Sequence, residues 1–132
     1  MRKRPKALLI GIDGCRPDGV KAAETPNLDS LLRGGAFNFE AQTSPLSISW
    51  PCWARMLTGV WSDKHGVTSN LMEGSRFDRY PNLFTRLKEA RPEARTASLV
   101  DWAPINHSIL TDADLTGEFE TQAAVAAPAA KS

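Results

Sequence analysis

Ala7-Leu8-Leu9-Ile10-Gly11-Ile12 is an unbroken apolar run that ends directly in Asp13-Gly14. A run of this length closed by a turn pair is the pattern of a strand covered on both faces, as in the parallel sheets of α/β proteins. In such sheets the carboxyl ends of the strands open onto the crevice where ligands bind. The run therefore predicts a central strand with the Asp13 carboxylate in that crevice, where it suits Zn²⁺, Mg²⁺ or Mn²⁺. Asp-Gly is also an ordinary turn former, so the pair alone leaves both readings open.

The rest of the chain supplies elements that fit such a sheet. Thr25-Pro26 predicts a helix start, with Thr25 as N-cap and Pro26 at the first helical position. Leu28, Leu31 and Leu32 form its buried stripe, and Gly34-Gly35 stops it. Over 36–43, Phe37 and Phe39 alternate with Asn38 and Glu40, which predicts a second strand. A Ser/Pro-rich loop leads to a predicted helix over 51–57 that closes at Thr58-Gly59. A third helix is predicted over 81–90, with Leu83, Phe84 and Leu87 on one stripe. Residues 96–100 read as a further buried strand ending at Asp101. Strands alternating with helices predict an α/β fold with a mainly parallel sheet and flanking helices. Beyond Glu120 the sequence turns Ala-rich and loses all amphipathic pattern. The expected organisation is thus one domain over 1–120 and a disordered tail over 121–132.

Composition narrows the function more than the fold. The chain has 132 residues, with 16 basic and 15 acidic side chains and net charge +1. That balance gives no electrostatic footprint for a nucleic acid duplex or an anionic membrane. Hydrophobic residues at 42% and charged residues at 23% are ordinary globular usage. No apolar stretch approaches a signal-peptide core or a membrane span, so the chain as written is expected to be cytoplasmic. Cys15 and Cys52 are too few for a disulfide framework or a zinc motif, and two reduced, mostly buried thiols are expected.

Ser49 lies two residues before Pro51, near the start of the predicted helix. Free N–H groups and partial positive charge at a helix start favour a phosphate oxyanion. Equally, Ser47 or Ser49 could serve as a simple N-cap. The order of motifs carries more than either residue does. Leu8-Leu9-Ile10-Gly11-Ile12-Asp13-Gly14-Cys15-Arg16-Pro17-Asp18 is followed by Thr25-Pro26-Asn27-Leu28-Asp29-Ser30-Leu31. Ser49-Trp50-Pro51 with Leu57-Thr58-Gly59 comes next, and then His65-Gly66-Val67-Thr68-Ser69-Asn70. This series resembles the alkaline phosphatase superfamily, in its type I phosphodiesterase/nucleotide pyrophosphatase branch, from Ala7 to at least Ile109.

The resemblance implies an alkaline-phosphatase-like fold and a metal-dependent hydrolase of phosphate esters or nucleotides. It makes Asp13 a ligand of one of two divalent metals, zinc foremost. It makes Ser49, where the branch more often has threonine, the nucleophile, bound to the same metal and phosphorylated during turnover. It matches Asn70 to an asparagine whose amide donates to a non-bridging phosphate oxygen; Asn70 as a plain turn residue is the other reading. A metal-bound hydroxyl needs no histidine base, and a neutral amide can steady charge on the phosphoryl group. His65 matches a histidine that is not a metal ligand and is read as structural. His107, six residues after Asp101, fits neither metal-binding motif of the family. Trp50, Trp53 and Trp61 are read as packing residues rather than a substrate platform.

A full site of this kind needs further aspartates and three histidines, whereas this chain has two histidines in all. The second metal site is therefore not encoded here, and the chain alone is expected to be inactive, as the first part of a larger catalytic domain. Two alternatives stand beside this reading. A sulfatase-type hydrolase would need arginine where Trp53 stands, with Arg55 two residues late. A non-catalytic truncated remnant would bind without turnover.

Overall fold

The computed structural model describes residues 5–43, 45, 47–71 and 73–119, so the Ala-rich segment over 121–132 lies outside the described residues. The chain divides into two compact units, Met1–Thr43 and Ser44–Ser132.

The first unit contains two short helices, α1 (Pro17–Ala22) and α2 (Pro26–Gly34), each opened by a proline. Proline fits there because its missing N–H has no intrahelical partner to lose. Thr25 stands at the N-cap of α2 as expected, but its hydroxyl makes no cap bond and donates instead to Asp29 Oδ1 at 3.1 Å. Nothing in the sequence pattern marks α1, since its six residues carry no apolar stripe. Leu28 and Leu32 are half-buried while Leu31 is exposed. With Ile12, Val20 and Phe39, these leucines line an open apolar depression of about 280 Å³.

Neither strand predicted for this unit forms. Residues 7–12 are irregular and exposed, with Leu8 at 85% and Ile12 at 60%. A strand with two apolar faces needs neighbours on its edges and layers on its faces, and the first unit contains no other strand among the described residues. Over 36–43 the alternation does hold, since the Phe37 and Phe39 rings meet at 5.4 Å between centroids. What fails is the ladder. Asn38 Oδ1 accepts the Glu40 N–H at 2.6 Å, and this local turn takes a donor that pairing would need.

The second unit follows the sequence more closely. It comprises α3 (Ser49–Thr58), α4 (Ser62–His65), α5 (Leu83–Ala90), β1 (Ala97–Val100), a π-helix (Ile105–Ile109) and β2 (Leu115–Glu118). α3 starts two residues earlier than predicted and closes at Gly59, whose φ of 72° is the left-handed cap that glycine adopts without strain. α5 begins at Leu83, because Asn82 caps it by accepting the Phe84 and Thr85 N–H groups. β1 pairs in parallel with β2, Ala97 opposite Leu115 through Val100 opposite Glu118. The described structure is thus a small α/β arrangement with a two-stranded parallel sheet. β2 escaped the sequence reading because Leu-Thr-Gly-Glu is short and has no marked alternation.

The core of this unit gathers Trp50, Ala54 and Leu57 from α3, Val67 from the following loop, and Ile105, Ile109 and Leu110 from the crossover. The α3 residues recur at i, i+4 and i+7, one face of a helix. Trp50 stacks against Trp102 at 4.8 Å between ring centroids, tilted by 57°. No helix among the described residues is long and apolar enough to cross a membrane.

Candidate active site

Ser49 is the first helical residue of α3, behind an extended Ile48 that offers no side-chain cap. Its side chain is half-buried, whereas Ser47 is exposed. α3 is fixed below it by the buried Trp50, Pro51, Ala54, Leu57 and Thr58. The Thr58 hydroxyl donates to the Ala54 carbonyl at 2.6 Å, which satisfies a polar group inside the core.

Asn70 reaches the same helix start from twenty residues away. Its Oδ1 accepts the backbone N–H of Trp50 at 3.1 Å. The first N–H groups of a helix have no intrahelical partner, and this bond satisfies one of them from outside. It also settles the orientation of the amide. The partner is a donor, so the oxygen must face it, and Nδ2 with its two hydrogens is turned the other way. The structure therefore brings Asn70 to the N-terminal turn that Ser49 opens.

Asp13 lies in the first unit, in the Asp13-Gly14 turn, with Gly14 at φ 67°. It is exposed. The turn forms as predicted, but the strand before it does not. Among the described residues, no three of the His, Cys, Asp and Glu side chains gather as a metal-binding group. Cys15 is exposed rather than buried and Cys52 is half-buried; neither is in a disulfide.

His65 is fully buried, with Nδ1 accepting the Val67 N–H at 3.1 Å and Nε2 3.5 Å from Ser62 Oγ. Burial first, and then the nearby Arg55 cation, push its pKa below the ordinary histidine value. His107 Nε2 meets Glu118 Oε1 at 2.8 Å on the surface, tying the π-helix to β2. Trp50 is buried in the core, in line with a packing role. Trp61 is more than half exposed, and the Arg55 guanidinium stacks 4.2 Å from its ring centroid. Trp102, which supports the Trp50 ring, went unnoticed in the sequence because nothing in its spacing marks it.

An α/β chain with a serine opening a helix and an asparagine fixed across that helix start is compatible with phosphoryl chemistry. Comparison with known proteins identifies the lineage. Residues 7–113 match the family model described as type I phosphodiesterase/nucleotide pyrophosphatase, and the chain belongs to that family. It is similar to the human (Homo sapiens) bis(5'-adenosyl)-triphosphatase ENPP4, 29% identical over 68 residues, 52% of this chain and 15% of that protein. Ectonucleotide pyrophosphatase/phosphodiesterase family member 7 of Rattus norvegicus is 31% identical over 70 residues, 53% of this chain and 16% of that protein. The match thus spans only about 15% of the length of these relatives. No solved structure matches.

Proposed function

We propose that this chain carries the nucleophile side of a metal-dependent hydrolase of phosphodiester or pyrophosphate bonds in nucleotide-like substrates. One observation supports it above the others: the Asn70 Oδ1 bond to the Trp50 N–H, which sets a neutral amide donor beside the helix turn that begins with Ser49. Ser49 Oγ attacks phosphorus, forming an O–P bond as the bond to the leaving oxygen breaks. The leaving oxygen departs with a proton, and water later cleaves the Ser49 ester and restores the hydroxyl. Asn70 Nδ2 donates to a non-bridging oxygen and steadies charge as it builds there.

Asp13 and Ser49 each carry an oxygen of the kind that a hard or borderline dication takes. When bound, that ion would lower the hydroxyl pKa and neutralise phosphate charge. Two protein oxygens are fewer than the three protein ligands of a catalytic zinc site. The isolated chain is therefore expected to hydrolyse a nitrophenyl phosphodiester far more slowly than an ordinary enzyme.

The test of Ser49 is single-turnover kinetics with metal saturating, in a polypeptide that joins this segment to the remaining ligands. Ser49→Ala should lose the phosphoryl adduct by intact mass and lower turnover by several orders of magnitude. Ser47→Ala should matter far less, and Ser49→Thr should keep substantial activity. Equal losses in the two alanine variants would show that the nucleophile is misassigned.

A further inference from the structure

The loop that delivers Asn70 to α3 begins at a buried histidine. Val67 donates its backbone N–H to His65 Nδ1 at 3.1 Å, so that nitrogen must be bare and the ring proton must sit on Nε2, facing Ser62 Oγ at 3.5 Å. The same residue is gripped from the other side, since the Arg76 N–H donates to the His65 carbonyl at 2.9 Å. Arg76 also donates through its guanidinium to the Asp63 carbonyl. Gly66, at φ 82°, passes so close to the next turn that a Cβ there would lie 1.9 Å from the Gly74 carbonyl oxygen. Val67 itself is fully buried. Three residues further on, Asn70 meets the Trp50 N–H.

From this chain of bonds we propose that neutral His65 is the positioning residue for Asn70, through the hydrogen bond its Nδ1 accepts from Val67. The proposal rests on the functional reading above, because positioning Asn70 matters for catalysis only if Asn70 binds phosphate. Protonation at Nδ1 replaces an acceptor with a donor. The Val67 N–H then faces another N–H, the loop must shift, and the Asn70 amide leaves its place on α3. The charged groups around the ring are Arg55 from α3, Asp63 beside it on α4, and Arg76 from the following turn. Burial and the two cations oppose protonation, while Asp63 favours it.

The experiment is nitrogen-resolved NMR on the 132-residue chain, with no substrate or metal added. The His65 ring shifts should report the Nε2–H tautomer at neutral pH. As pH falls below 6.5, the His65 ring, the Val67 amide and the Trp50 amide should move with one midpoint. Hydrogen exchange at the Trp50 amide should speed up about tenfold in His65→Leu, the amount expected for one lost hydrogen bond. His65→Asn keeps an acceptor at the Nδ1 position and cannot titrate. It should retain the slow exchange and abolish the pH response. A Trp50 amide that ignores the His65 titration overturns the proposal, as does a global loss of all amide signals at that midpoint. None of these readouts depends on Ser49 or on turnover. If the coupling holds while Ser49→Ala leaves turnover intact, the functional reading has failed and the positioning has not.

Discussion

The first unit holds Asp13 and no buried side chain in either of its helices, while the second holds Ser49 and Asn70 around a packed core. Both have apolar sequence in similar measure. In the first unit Leu8, Leu9, Ile10 and Ile12 stand exposed, whereas in the second Trp50, Ala54 and Leu57 recur on one helix face and meet Ile105, Ile109 and Leu110. The difference teaches that local signals and long-range signals are satisfied separately. Prolines, Asp-Gly and Gly-Gly place turns and helix ends wherever they occur. An apolar run becomes a strand only where other strands are present to pair with it.

The contrast can be broken most directly by core truncation. Ile109 is 1% exposed, and Ile109→Ala should cost about 2–5 kcal/mol through lost burial and the cavity left behind. Leu8→Ala, at a position 85% exposed, should change stability by less than about 0.5 kcal/mol. All four tryptophans lie in the second unit, so urea unfolding followed by tryptophan fluorescence reads that unit alone. The same series followed by helix circular dichroism covers both. If Leu8→Ala cost as much as Ile109→Ala, the described exposure of residues 7–12 would be wrong.

Next in size is a pair of glycines that share a backbone conformation but not surroundings. Gly14 has φ 67° with open space where a Cβ would go, so Gly14→Ala should cost only the left-handed strain, about 1–2 kcal/mol. Gly66→Ala adds a steric overlap with the Gly74 carbonyl and should cost about 1–3 kcal/mol more. Thermal unfolding of the two variants gives the comparison, and equal costs would mean the Gly66 loop yields freely.

What the sequence made legible follows the same division. Both ends of α2 and the C-terminal end of α3 were readable because proline and glycine act through their own backbones, whereas α3 starts two residues before Pro51. The place of β1 was readable because its partner lies in the same unit, but the burial expected of it fails, since only Ser98 of its four residues is buried and Leu99 is exposed. The strands expected over 7–12 and 36–43 were misread because periodicity reports which faces are apolar and not whether a neighbour exists. Asn38 adds a local competitor that the alternation conceals. Ser49 and Asn70 are legible in their motifs, but the bond that brings Asn70 to the Trp50 N–H at the start of α3 depends on a His-Gly loop whose path no spacing rule gives.

A smaller effect separates the two helix starts. Asn82 caps α5 and also donates to the Ile109 carbonyl at 2.7 Å and to Asp112 Oδ1 at 2.9 Å. Asn82→Ala removes the cap and leaves a buried carbonyl short of a donor, at about 2 kcal/mol. Thr25 makes no cap bond, so Thr25→Ala should cost about 0.5 kcal/mol or less. Denaturant midpoints decide it, and a Thr25→Ala cost matching that of Asn82→Ala would mean the two caps are equivalent.

The smallest difference is between two aspartates. Asp114 Oδ2 accepts the Thr96 N–H at 2.7 Å and the Thr96 hydroxyl at 3.0 Å, and Lys88 Nζ lies 3.3 Å from Oδ1. The Thr96 backbone N–H, more than any other group, lowers its pKa from 3.8 to about 2. Asp18 in the first unit is also shifted down, chiefly by its bond to Arg16, but that pair is wholly on the surface. For both carboxylates the folded pKa lies below the unfolded one. The stabilisation is therefore complete above 3.8 and is lost as pH falls toward the folded value. Asp114→Asn should remove the part of the acid destabilisation of the second unit that falls between pH 3.8 and about 2. Salt should leave the Thr96 part of this shift intact, because Thr96 carries no charge, and weaken the part due to Lys88. Asp18→Asn should leave the acid profile indistinguishable from that of the parent chain, since an exposed ion pair contributes almost nothing. Tryptophan-detected urea midpoints across that pH range, at low and high salt, measure both. An Asp114→Asn profile that still falls as steeply as the parent would place the acid sensitivity elsewhere, with His65, whose window opens at 6.5, as the next group to examine.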